Sequence, residues 1–249
     1  MNFTLGLTSV TFREKTISEI AVLAKKAGLR EIEWGGDRHI LPMDFDAVET
    51  ARRAMAENEL VCSSYGSYYR IGDNDTEAFR AIAKTAHALD GKILRVWLGR
   101  IGSSSTNTEL RSKMLEETKR LAEIAAEYSQ TLAFEFHGKT LNDTGESSVS
   151  FLRDCGMENV KTYWQPLSYS DNENNLRAVL PYLAAVHVFT WDDEYRRYPL
   201  SDGKDAWKNY LSILNEANIS TKLIMEFVKD DNAEQFLADA NFLKRIAFL

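Results

Sequence analysis

An eight-stranded parallel β/α barrel is the fold this sequence predicts, as one domain over residues 1–249, and three observations carry it. Apolar runs of strand length alternate with segments of helical period along the whole chain, eight of each. The length of 249 residues is that of a usual (β/α)8 TIM barrel. Four residues of metal-ligand type, Glu135, Gln165, His187 and Glu226, fall near the ends of the last four apolar runs. Barrels of this kind carry their reactive groups there.

The pattern predicts strands over 2–8, 30–34, 59–65, 92–98, 131–137, 159–165, 184–190 and 221–228. Helices fit between and after them at 17–27, 44–58, 75–89, 109–128, 144–155, 172–181, 205–217 and 231–246. Thr16 or Ser18 precedes the first helix, Asp44 the second and Thr108 the fourth, each able to accept a bond from a free backbone N–H. Gly28, Gly91 and Gly156 follow three helices, where a left-handed cap costs glycine little. In the longest helix Leu110, Met114, Leu121, Ile124 and Ala125 share one stripe, which predicts the face packed on the sheet.

Strict alternation implies a parallel sheet with right-handed crossovers, and eight units close it. An open doubly wound sheet is the competing layout. Against it, the first strand–helix turn, GLTSVTFREKT, has no GxGxxG, and no GxxxxGK[ST] occurs in the chain.

Composition narrows the function. An apolar fraction of 44% and a charged fraction of 27% are those of an ordinary globular protein. No apolar stretch approaches the ~18 residues of a membrane span. The N-terminus, MNFTLGLTSVTF, reads as a first strand without a signal peptide's basic flank or cleavage pattern, so a cytoplasmic location is expected. A net charge of −7 opposes binding to nucleic acid, which needs a clustered basic surface. Cys62 and Cys155 show no CxxC spacing and are expected to be reduced and structural.

Glu135 lies in LAFEFHG and Glu226 in LIMEF; a carboxylate in an apolar strand is costly unless it is paired or bound to a metal. His187, in AVHVF, offers an imidazole ligand, although a lone strand histidine often belongs to the core. His137 lies two residues after Glu135, hence on the same strand face, as a substrate contact or a further ligand. His39 is in a loop that can reach a bound polyol or simply face solvent, and His87 is inside a helix. Aromatic residues crowd the expected mouth. Tyr65, Tyr68 and Tyr69 with Arg70 are in a position to cover a site, while Trp34 and Trp97 can simply fill core space. Arg196 and Arg197 in WDDEYRRYP are either substrate contacts or a solvated charge cluster, and Lys139 and Asp143 share that ambiguity.

At LAFEFHG, AVHVFTWDD and LIMEF, with a supporting GKDAWKNYL, the chain resembles the xylose isomerase-like barrel family. This is the sugar phosphate isomerase/epimerase group, which includes ketose 3-epimerases and inositol-catabolism enzymes. The resemblance implies a divalent cation held by a glutamate on the fifth strand, an aspartate on the sixth, a histidine in the sixth or seventh region and a glutamate on the eighth. Glu135, His187 and Glu226 match, and the aspartate position falls on Gln165. Two carboxylates with a neutral imidazole and a neutral amide carry a ligand charge of about −2, so affinity should be lower than with three carboxylates. Such an oxygen-rich set suits manganese, magnesium or cobalt, and zinc is also compatible.

By the same resemblance, Glu135 and Glu226 are both ligands and the acid/base pair. They would exchange a proton at the carbon next to a carbonyl of a small sugar, keto-sugar or polyol, as an isomerase or epimerase does. The implied arginine contact falls on Arg196 or Arg197. A dehydratase of an inosose-type substrate, or a non-catalytic carbohydrate-binding or regulatory barrel, are the alternatives. With no phosphate-cradling glycine loop in the sequence, an unphosphorylated substrate is expected, and a homo-oligomer is compatible with it.

Overall fold

Each apolar run forms a strand and each periodic segment a helix in the computed structural model, which describes residues 3–248. The strands are β1 (Phe3–Thr8), β2 (Glu31–Gly35), β3 (Val61–Arg70), β4 (Ile93–Trp97), β5 (Thr131–Phe134), β6 (Val160–Trp164), β7 (Leu183–Val188) and β8 (Thr221–Met225). The helices are α1 (Ile17–Lys26), α2 (Phe45–Glu57), α3 (Thr76–Ala88), α4 (Thr108–Glu127), α5 (Gly145–Cys155), α6 (Asn172–Val179), α7 (Lys204–Glu216) and α8 (Ala233–Ala247). Each strand pairs in parallel with the next, and β1 pairs with β8 to close the barrel. The expected strand start at residue 2, and residues 1 and 249 of the expected domain, lie outside the described residues.

Capping chemistry sets the helix starts. Thr16 forms a reciprocal capping box with Glu19, and Asp44 accepts from the Ala47 N–H. At α4 the cap is Asn107, which accepts from the Leu110 N–H, and Thr108, the expected cap, is the first helical residue. Asn107 has the extended backbone a cap requires, with ψ 166°. Gly156 and Gly28 take the left-handed form, at φ 67° and 71°. After α3 that role falls to Asp90 (φ 59°), one residue before the expected Gly91. Gly91 serves close packing instead: a Cβ there would lie 3.1 Å from the Ala86 carbonyl oxygen and 3.2 Å from Cys62 Sγ.

Strand β3 runs five residues past its expected end at 65, so the tyrosine-rich segment is largely strand. Buried Glu117 on α4 explains the extension. It accepts from Tyr69 Oη at 2.6 Å, from Gly72 N at 2.5 Å and from Asn74 N at 2.9 Å. Conversely β5, β6 and β8 stop early, leaving Glu135, Gln165 and Glu226 as the first residues beyond them, while His187 lies within β7.

The main core lies between sheet and helices, with Met114, Leu121, Ile124 and Ala125 of α4 buried as the stripe predicts. A second cluster, Ile93, Ala133, Tyr163, Ala185 and Ile224, fills the barrel interior from five consecutive strands. Lys222 and Glu31 pair on its floor at 2.6 Å. Cys62 and Cys155 are free thiols. Among the described residues no helix is long and apolar enough to cross a membrane.

Candidate active site

Four strand ends bring their polar residues together at the carboxyl end of the barrel. Glu135, His187 and Glu226 are all buried, and each offers a ligand atom within 4.8 Å of the others'. Backbone bonds fix two of them, since the Glu135 N–H donates to the Val96 carbonyl and the Glu226 N–H to that of Val188. Gln165, also buried, joins the group: its Nε2 lies 3.4 Å from Glu135 Oε1, and its Oε1 lies 3.1 Å from His187 Nδ1. His187 Nδ1 is also 3.2 Å from Glu226 Oε2. Two carboxylates, an imidazole and an amide oxygen within this distance form a donor set that fits a divalent ion.

Beneath this group is a layer that sequence reasoning missed. Glu33 on β2 and Arg95 on β4 are buried at the barrel centre, their charges paired at 3.1 Å. Arg95 also donates through Nη1 to Glu135 Oε2, and Trp97 Nε1 donates to the same oxygen at 2.5 Å. Glu33 Oε1 lies 3.3 Å from His187 Nε2, and its Oε2 accepts from Ser64 Oγ at 2.8 Å. A carboxylate behind an imidazole fixes the orientation of the ring. Gly66 makes room for the guanidinium, because a Cβ there would come within 2.5 Å of Arg95 Nη2. The signal was in ILRVW: a charge inside an apolar strand carries the same cost that singled out Glu135.

The electrostatics follow from this packing. Burial alone would raise Glu33 and Glu135, but Arg95 foremost and His187 next outweigh it, and both carboxyls are held below the usual range. For His187 burial favours the neutral ring, yet Glu226 and Glu33 overcome it and push the group up to about 10. Burial raises the Tyr163 hydroxyl well above its ordinary value; its ring meets His187 edge-on, with centroids 5.0 Å apart.

The expected substrate contacts are distributed unevenly. His137 stacks on Trp97 at 4.6 Å, its Nδ1 2.6 Å from the Gly138 carbonyl, and it lines a cleft beside the Glu/Gln/His/Glu group. Arg70 covers Trp97, 3.5 Å from the ring centroid. Tyr65 is buried and donates to the Ile40 carbonyl at 2.6 Å. His39 turns its Nε2 to the Lys15 carbonyl at 3.2 Å. Arg196 is exposed and pairs with Asp192 and Glu194, whereas Arg197 pairs with Asp231 and lies over Phe227. Tyr65, His39 and Arg197 are engaged with neighbouring loops and Arg196 with its own, and none of the four with the Glu/Gln/His/Glu group. The cleft itself, about 1340 Å³, opens from His137 and Gln165 outward to Trp191 and Tyr210.

Known proteins share this arrangement of strands. A 3-dehydroshikimate dehydratase of Bacillus anthracis is 22% identical over 197 residues, covering 73% of this chain and 70% of that protein. The crystal structure of a probable 3-DHS dehydratase of Bacillus anthracis superposes with a TM-score of 0.82 at 15% identity, over 97% of this chain and 98% of the other. A D-allulose 3-epimerase from Methylomonas sp. gives a TM-score of 0.78 at 16% identity, over 98% of each chain. The family model described as xylose isomerase-like TIM barrel matches residues 21–246, and the chain belongs to that family.

Proposed function

We propose that the protein is a divalent-metal-dependent isomerase or epimerase of a small sugar, keto-sugar or polyol. The convergence of Glu135, Gln165, His187 and Glu226 at the barrel mouth carries this reading. The membership of the family and the likeness to sugar epimerases support an enzyme. Those four residues would hold the ion; when bound, it supplies a positive charge that polarises the substrate's carbonyl.

The chain's own residues supply the rest. Arg95 keeps Glu135 ionised, the form needed both in a ligand and in a base. With Oε2 of Glu135 shared by Arg95 and Trp97, Oε1 is the oxygen facing Gln165 and the site. Glu226, three strands away across the mouth, faces the same space from the other side. One glutamate removes the proton from the carbon next to the carbonyl, and the other returns a proton to the opposite face. Glu33 holds the His187 ring from behind.

Incubation with a ketose and inosose panel in deuterated water, with manganese present, tests the reading. Isomerisation or epimerisation introduces deuterium at carbon without loss of water. Absence of exchange from every substrate, with Glu135→Gln and Glu226→Gln matching wild type in metal content and thermal stability, would reject it. One observation favours a second reading, a dehydratase. His137, stacked on Trp97 with its Nδ1 tied to Gly138, adds an imidazole to the cleft that would serve as a third acid/base group in a dehydration, and a dehydratase is among the similar proteins. Growth of an enone absorbance distinguishes that outcome.

A further inference from the structure

The cleft is larger than the proposed reaction needs. Its volume of about 1340 Å³ exceeds the roughly 300–1,000 Å³ of ordinary small-molecule pockets. It also lies to one side of the ion-binding group, reaching it at His137 and Gln165 and extending away over the loops after β6 and β7 to the start of α7. A single sugar ring placed to react would leave most of this space to water.

The chemistry of the walls selects what else fills it. Tyr169, Phe189, Trp191 and Tyr195 line the outer part, and Trp191 is braced by Phe189 and Phe227 at centroid distances of 4.6 and 4.8 Å. Aromatic surfaces with a polar tip suit the C–H face and hydroxyl rim of a pyranose ring. Trp191 Nε1 and Asp143 Oδ1, on two lining residues, are buried without a protein partner. One is a donor and the other an acceptor, and a hydroxyl can answer either. The lining charges are Asp143, Asp193 and Asp202 against Lys139. Arg196 and Arg197, the nearby guanidinium groups, are already paired with acidic side chains. This excess of carboxylates repels phosphate or a sugar acid.

We propose that the cleft accepts an uncharged ketose bearing a second sugar unit on one of its hydroxyls, an inference that rests on the site being a sugar-converting one. The keto unit sits over Glu135, His187 and Glu226, and the second ring lies against Trp191 and Tyr169. A glycosidic bond to a hydroxyl leaves the keto group free, so the proton transfer already described needs no change.

Calorimetric titration of the manganese-loaded protein with fructose, with the fructose-containing disaccharides isomaltulose, turanose and lactulose, and with fructose 6-phosphate tests this. At least one disaccharide should bind about tenfold more tightly than fructose, the size of one well-made ring contact. Trp191→Ala and Tyr169→Ala should each remove most of that advantage while leaving fructose affinity unchanged. Tyr169 is 86% exposed, so its replacement leaves the core intact. Asp143→Asn should narrow the discrimination against fructose 6-phosphate. Equal or weaker binding of all three disaccharides, or tightest binding of the phosphate, overturns the proposal. Deuterium exchange run on the same samples separates the two levels: a disaccharide preference without exchange rejects the isomerase or epimerase reading alone, whereas exchange without the preference rejects the two-ring substrate alone.

Discussion

Gln165 stands between Glu135 and His187, where the family resemblance implies an aspartate. Gln165→Asp adds a third carboxylate and should tighten manganese or magnesium binding by about tenfold or more in a competitive chelator titration. The same change puts another buried negative charge next to Glu135, so the metal-free variant should melt below wild type. His187 gives a pH dependence of opposite origin. Its folded value, about 10, is above the ordinary ~6.5, so its contribution to stability is complete below about pH 6.5 and is lost as pH rises through 10. The metal-free protein should therefore lose melting temperature between pH 7 and 10, and His187→Gln should flatten that slope. At this scale the sequence was informative wherever a charge interrupted an apolar strand. Glu135 and Glu226 were found on that cost, yet Arg95 and Glu33 bear the same mark and were passed over because no motif surrounds them. His39 and Arg196 show the reverse limit, since a loop position does not reveal which way a side chain turns.

Elements were the most legible part of the chain. Alternating apolar and periodic segments predicted all eight strands and helices with ends within a few residues, because burial on both sides of a parallel sheet gives near-continuous apolar runs. The exception, β3, continues through SYYR because a distant carboxylate draws its end across to α4. Glu117 is 45 positions from Gly72, and no local pattern can report such a contact. Glu117→Leu removes an acceptor shared by three donors and should cost about 2–4 kcal/mol in denaturant unfolding. Protease sensitivity should rise around residues 70–75, while the melting of the remaining barrel stays cooperative. A smaller effect at a single site would mean that water replaces the carboxylate without loss.

Over the whole molecule, the barrel interior changes character from floor to mouth. The Lys222–Glu31 pair closes the bottom, an apolar layer follows, then Glu33 and Arg95, and finally the group that includes His187. Arg95 ties β2, β4 and β5 through its two carboxylate partners. Arg95→Met strands both charges and should destabilise the protein by about 3–5 kcal/mol; adding Glu33→Gln should recover part of that loss, as a double-mutant cycle would measure. The buried guanidinium also bears on how the protein is made. A centre that contains its own cation is partly neutralised before any ion arrives, so chelation should leave the far-ultraviolet circular dichroism unchanged and metal should be restorable by simple addition. On the proposed reading, the ion taken up is then whichever divalent cation the surroundings offer to an already folded chain.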